Sequence, residues 1–306
     1  MISRHSPTLA IAEAVERQRS LGKKAWSLSS PSFPVAEKLP DIAGDWFKLS
    51  APAGIPELRE KARHVFFSKW DAPQHECIIT AGAKAAIFSI FKTITNSGGA
   101  IIVPQPAWPS YIDLVFAAGA KPITIESSAD SFCIDLLELK AIVETRKPKA
   151  IILANPCNPT GRIIPKNELK ELAKICNSFN LYLILDQSFS GIVFDRKSWE
   201  NSVIADVRNL ILIDSFSKNF LMQGARVAAA LVPKDISEYV INMHQTLISS
   251  APTPAQKLAL WSIEFKNAMP DLLEQRNLAM QFIADMNWSS YAQQGTFYFF
   301  PKIPNI

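Results

Sequence analysis

The chain has 306 residues, 48% hydrophobic and 20% charged, the balance of a folded globular protein rather than a disordered one. Its 32 basic and 28 acidic residues leave a formal charge of +4 with no basic run longer than a pair, so no nucleic-acid partner is expected. No apolar run approaches the ~20 residues of a membrane span, and four cysteines (Cys77, Cys133, Cys157, Cys176) without a CxxC pair suit a reducing, cytoplasmic setting rather than a disulfide framework.

The N-terminal stretch MISRHSPTLAIAEAVERQRS is broken by Glu13 and Glu16 and reads as an amphipathic helix, not a signal peptide. WSLSSPSFP, rich in Ser and Pro, is a loop. GIPELREKARHVFFSKW then has helical period, with Pro56 near its first turn. Seven short apolar, β-branched runs follow: CIITAG (77–82), AIIVPQP (100–106), KPITIE (121–126), AIILANP (150–156), YLILDQS (182–188), NLILIDS (209–215) and VAAALVP (227–233). Continuous runs of this kind suit strands buried on both faces. Most are separated by helical segments. In KNELKELAKICNSFN, for example, Leu169, Leu172, Ala173 and Cys176 fall on one face. Strand alternating with helix implies βαβ units and an α/β fold with a mostly parallel mixed sheet. The ends of the chain lack this alternation. They are expected to form a smaller domain (1–45 and 250–306) beside a large domain (46–249), with GTFYFFPKI as a strand.

In such sheets the ligand lies beyond the carboxyl ends of the strands. Those ends carry Gly82-Ala83-Lys84, Trp108, NPCNPTG, Asp186, and Ser215 with Lys218. Five strands thus deliver polar or aromatic groups to one rim. GxxxxGK[ST], GxGxxG, HExxH and GxSxG are all absent, and the four histidines (His5, His64, His75, His244) are scattered, which disfavours a metal cage or a histidine triad. Lysine forms Schiff bases with carbonyls. Pyridoxal phosphate chemistry needs such a lysine and a carboxylate to keep the pyridine nitrogen protonated. It also needs a phosphate site, suited to a helix N-terminus and an arginine, and a flat aromatic to stack on the ring. Taken singly, Lys218 reads more often as a solvated turn lysine, Trp108 more often as packing, Asp186 equally as a turn cap, Lys84 most often as a solvated helix residue and Arg226 usually as a surface ion pair.

Taken in order, seven blocks resemble the pyridoxal-phosphate-dependent aminotransferases of class I/II, fold type I. They are APAGIPELRE, ITAGAKAAIFSIF, PQPAWPSY, NPCNPTG, DQSF, SFSKNFLMQGAR and GTFYFFP. The resemblance implies that Lys218 is the catalytic lysine that forms a Schiff base with the cofactor. It implies that Arg226, Ser215 and the amides of Ala83 and Lys84 hold the phosphate. Asp186 would pair with the pyridine nitrogen, Asn158 would bond the phenolic oxygen, and Trp108 would stack on the ring. It further implies an amino acid and a 2-oxo acid as substrates and a homodimer as the working form. A lyase, decarboxylase or oxidase on the same scaffold, or a shortened non-catalytic homologue, is the alternative.

The chain departs from the family pattern at four places. Phe189 stands where a tyrosine usually bonds the phenolic oxygen, leaving Asn158 alone there and raising the imine's pKa. Leu49 stands where a tyrosine usually reaches the neighbouring subunit's phosphate. Ser29 replaces a usual glycine. No residue can be assigned as the arginine that clamps the substrate's α-carboxylate, which in the family lies beyond the GTFYFFP block.

Overall fold

A computed structural model describes residues 7–26, 40, 44–70, 72–96, 98–200, 208–264, 271–291 and 293–304. The WSLSSPSFP loop, apart from Trp26, lies outside the described residues, as does Ser29 within it. The N-terminal helix forms as expected, over Pro7–Ser20.

The strands are β1 (His75–Thr80), β2 (Ala100–Gln105), β3 (Lys121–Glu126), β4 (Ala150–Ala154), β5 (Tyr182–Asp186), β6 (Leu210–Ser215) and β7 (Ala228–Pro233). They form one sheet in the order β1-β7-β6-β5-β4-β2-β3. The pairs among β2 to β6 are parallel, and β7 is antiparallel to both β1 and β6. β1 to β6 therefore point the same way, and β7 alone runs back.

The apolar runs form central strands because both sheet faces are covered. Along β6, Leu210 and Leu212 join one core cluster while Ile211 and Ile213 join the other. The first cluster takes in Leu58 and Phe67 of helix Pro56–Phe67, Leu169 and Leu172 of helix Lys166–Ser178, and Ala255 and Ala259 of helix Thr253–Glu264. The second takes in Ile87 and Ile90 of helix Ala83–Thr95, Val115 of helix Ser110–Ala117 and Val240 of helix Lys234–Ile248. Each such Leu, Ile or Val contributes roughly 1.5–3 kcal/mol when fully buried. β3 is an edge strand, and its burial alternates: Ile123 and Ile125 face inward while Lys121, Thr124 and Glu126 are exposed.

The segment expected as a strand at GTFYFFPKI is irregular. Among the described residues it makes only the isolated bridges Val193–Gly295 and Ser289–Lys302. Thr296 has φ +63°, outside the extended region, and the Gln293 carboxamide donates to the Thr296 and Tyr298 carbonyls at 3.0 and 2.8 Å. The backbone is satisfied by a side chain instead of by a neighbouring strand. Helix Thr253–Glu264 packs on helix Pro56–Phe67 and on the short turn Gly44–Phe47. Among the described residues, no helix is long and apolar enough to cross a membrane.

Candidate active site

The rim of the sheet is built by chain direction. Thr80, Ala154, Asp186 and Ser215 end their strands there. Thr80 and Ser215 both register with Ala228, the first residue of β7. Arg226, two residues before β7, is therefore delivered to the same rim by a strand that starts where the others finish. Ala83, Lys84, Trp108, Asn158, Asp186, Ser215, Lys218 and Arg226 all line one cavity of about 300 Å³, together with Tyr111, Phe189, Gln223 and Tyr298.

Lys218 sits on the four-residue helix Phe216–Asn219, which opens with the Ser215 hydroxyl accepting the Ser217 N–H at 3.1 Å. Phe216 is fully buried and meets Phe66 and Phe220 at ring distances of 5.0 and 5.1 Å, so apolar anchors fix the lysine's backbone. The amine is left half-buried. Its Nζ donates to Gln223 Oε1 at 3.0 Å and lies 5.2 Å from the Phe297 ring. Burial, with the Arg226 charge nearby, brings its pKa down to about 8, so the neutral amine is accessible at mild pH.

Asp186 is buried at the end of β5. It accepts the Tyr111 hydroxyl at 2.7 Å, the Ser188 hydroxyl at 2.6 Å and the Ser188 N–H at 3.0 Å. Burial raises its pKa, and the bonds from Ser188 and Tyr111 work against that rise. Among the described residues it has no cationic partner. Tyr111 is itself fully buried, and Trp108 meets it edge-on at 5.3 Å. The Lys84 ammonium lies 5.0 Å above the Trp108 ring, so the side chain of Lys84 faces the cavity as well as its amide.

One corner of the cavity lies between Gly82 and Arg226. Gly82 has φ +80° and ψ 164°, a conformation nearly confined to glycine. A Cβ there would lie 2.5 Å from Arg226 Nη2. The ladder of helix Ala83–Thr95 begins with the Ala85 N–H to Gly82, which leaves the amides of Ala83 and Lys84 as the open donors of its first turn. Behind the corner, buried His244 accepts the Ala81 N–H through Nε2 at 3.1 Å. Burial holds its pKa down to about 4, which keeps the ring neutral and able to accept.

A second buried carboxylate, Asp214, accepts from Ser190 Oγ, Ser215 N–H and Asn219 Nδ2 at 2.6–2.7 Å. Asn219 also accepts the Gly191 N–H at 2.8 Å. This network ties the loop after Asp186 to the helix that carries Lys218. Phe189, buried, meets Phe297 and Tyr298 edge-on at 5.2 and 5.9 Å. Leu49 is 78% exposed.

All eight sequence-predicted residues thus converge on one cavity. The roles of Gln223, His244, Ser188 and Asn219 carry no sequence signal. Tyr111, three residues after Trp108 on a helical period, offers a faint one. The residues present suit pyridoxal phosphate: a buried carboxylate without a cation faces the cavity, a glycine keeps open the corner beside a guanidinium and a helix N-terminus, and a lysine with a lowered pKa lines the same cavity.

The aminotransferase class I and II family matches residues 27–306. YugH of Bacillus subtilis, described as an aminotransferase, is 30% identical over 92% of this chain and 74% of its own length. Aspartate/prephenate aminotransferase of Thermus thermophilus is 26% identical over 96% of this chain and 80% of its own. In fold, the crystal structure of an aspartate aminotransferase from Thermotoga maritima superposes with a TM-score of 0.85 at 24% identity, covering 99% of this chain and 84% of that one. With the family matched over nearly its whole length, this chain belongs to the class I and II aminotransferases, enzymes that transfer amino groups.

Proposed function

We propose that the protein is a pyridoxal-phosphate-dependent aminotransferase that moves an amino group from an amino acid to a 2-oxo acid at the 300 Å³ cavity. The observation that carries this reading is the convergence of the Lys218 amine, the cation-free Asp186 carboxylate and the Gly82–Arg226 corner on one space. Lys218 would bind the cofactor's aldehyde, Asp186 its ring nitrogen and Asn158 its phenolic oxygen. Arg226, Ser215 and the amides of Ala83 and Lys84 would hold its phosphate, and Trp108 would cover the ring. When bound, the cofactor supplies an electron sink for the pair left on the substrate's α-carbon.

The protein's own part is positional and electrostatic. Hydrogen bonds from Tyr111 and Ser188 oppose the rise that burial gives the Asp186 pKa and fix the direction of its carboxyl group. Lys218 Nζ, neutral above about pH 8, takes and holds the α-proton. The helix N-terminus and Arg226 present positive potential to an anion. The relatives' aminotransferase descriptions favour transamination over a lyase, decarboxylase, oxidase or non-catalytic reading.

Borohydride reduction of the cofactor-loaded protein, followed by peptide mapping, tests the assignment: the label is expected on Lys218, and a label elsewhere overturns it. A panel of amino acids, read by the bound cofactor's absorbance, tests turnover; no spectral change with any of them overturns the aminotransferase reading.

We further place the protein in the cytoplasm as a homodimer, with residues 46–249 as the cofactor-binding domain and 1–45 with 250–306 as the smaller one, whose helix Thr253–Glu264 packs into the core of the large domain. The support is that all seven strands fall within 75–233, that all four cysteines are free, and that Trp26, Phe47 and Leu49 are 73–78% exposed. A homodimer would give these exposed apolar side chains a surface to pack against.

A further inference from the structure

Between Lys218 and Arg226 the chain doubles back. Leu221 has φ +58°, and the Met222 N–H returns to the Phe216 carbonyl at 3.3 Å. This reversal carries Gln223, five residues on, back to the lysine it has just left. Gln223 then makes two contacts with different parts of itself. Its side-chain Oε1 accepts from Lys218 Nζ at 3.0 Å, and its backbone carbonyl accepts from Arg226 Nη1 at 3.0 Å. It lines the cavity as well.

The chemistry of the acceptor matters. A carboxylate at that distance would lock the lysine as an ammonium, because an opposite charge within ~4–6 Å favours the charged form by about 1–3 pKa units. An aliphatic side chain would offer the amine no acceptor. A carboxamide accepts an N–H without adding charge. The other charged groups on the cavity wall are Lys84 from helix Ala83–Thr95, Asp186 from β5 and Arg226 before β7; Tyr111 and Tyr298 are its titratable phenols.

We propose that Gln223 is a positioning residue for Lys218: its carboxamide oxygen holds one N–H of the Nζ amine whenever that amine is not covalently engaged, leaving the lone pair free to take a proton. The inference rests on the aminotransferase reading and adds to it the group that receives the lysine once it is released. It also separates two functions in one residue, since the contact to Arg226 is made by backbone and survives a change of side chain.

The test is competitive acetylation of cofactor-free protein across pH, with mass spectrometry reading the midpoint at which Lys218 becomes reactive. The variants are Gln223→Glu, Gln223→Leu and Gln223→Met. Gln223→Glu is expected to raise the midpoint by about 1–3 units. Gln223→Leu and Gln223→Met are expected to lower it by about 1–2 units, the scale of a lost hydrogen bond to a charged group. Shifts of opposite sign cannot come from general loosening of the site. Equal midpoints, or shifts of one sign in all variants, overturn the proposal. If Gln223→Glu fails to fold, as judged by circular dichroism, the two apolar variants decide: a wild-type midpoint in both overturns it. The titration uses neither cofactor nor substrate, so its outcome is independent of the amino-acid panel that tests the aminotransferase reading.

Discussion

At the scale of single residues, Asp186 shows how the site is tuned. The carboxylate is buried, which by itself favours the protonated form, and three hydrogen bonds from Tyr111 and Ser188 oppose that. A protonated ring nitrogen beside it would finish the compensation, because a charge pair is worth more in a dry cavity than in water. Asp186→Ala is expected to cut turnover about a hundredfold or more, the scale of one lost preorganised electrostatic contact; steady-state rates with a saturating amino donor check this. Phe189 is the second residue-scale case. It lies in the cavity wall without a hydroxyl; of the two phenols that line the cavity, Tyr111 already spends its proton on Asp186, and Tyr298 packs against Phe189 itself. Phe189→Tyr would restore a donor to the phenolic oxygen and favour its ionised form. A hydrogen bond to a charged group is worth roughly 1.5–3 kcal/mol, or about 1–2 pKa units. The absorbance of the cofactor-loaded variant is therefore expected to titrate about 1–2 units lower than that of the wild type in a spectrophotometric pH series.

At the scale of elements, the turn from β1 into helix Ala83–Thr95 is tightly constrained. The chain must leave the strand, pass Gly82 in a conformation nearly confined to glycine, and present two open amides beside Arg226. Gly82→Ala is expected to destabilise the protein by about 1–3 kcal/mol from backbone strain alone. It should also push the Arg226 guanidinium aside and weaken cofactor retention. Urea denaturation and equilibrium dialysis of pyridoxal phosphate measure the two effects. Gly224→Ala, whose Cβ would meet nothing within 4 Å, is the control and should move neither. The same scale explains why three side chains that sequence reading passes over matter here. His244 and Asn219 act across the gaps between helix, turn and strand, with partners set by packing, and Gln223 meets Lys218 because the chain doubles back between them.

At the scale of the whole molecule, the candidate site is a liability for folding. Lys218 has a pKa of about 8 in the folded chain against 10.5 when unfolded, so between those values the unfolded chain holds a proton that the folded one lacks. Stability therefore rises with pH across that window and is lowest below about pH 8, where a charged amine must be kept in the cavity. Lys218→Met carries no such penalty. In the absence of cofactor it is expected to be more stable than the wild type at pH 7, with the advantage fading towards pH 10.5, as measured by urea denaturation at several pH values. Assembly is the other question at this scale. Phe47 and Leu49, both 78% exposed, are expected to be covered in a homodimer. Light scattering at micromolar concentration should give twice the mass of the chain, and a fully active monomer would contradict the expectation.

The order of strands and helices, the helical face of Leu169, Leu172, Ala173 and Cys176, and the polar groups at the strand ends were all determined by the sequence alone. Each is a matter of local period or of a short block such as SFSK or NPTG, and such signals survive without knowledge of neighbours. The placement of Arg226 was decided by tertiary structure: it reaches the rim because β7 runs against β1 and β6, a direction no local pattern encodes. GTFYFFPKI shows the opposite failure. Its composition suits a strand, yet among the described residues no strand pairs with it, and Gln293 takes up the Thr296 and Tyr298 carbonyls instead. The lowered pKa of Lys218 is likewise a product of burial and of a charge eight residues away along the chain. A sequence can carry the groups a site needs; their charge states and partners come into being only when folding removes water and closes the distances between them.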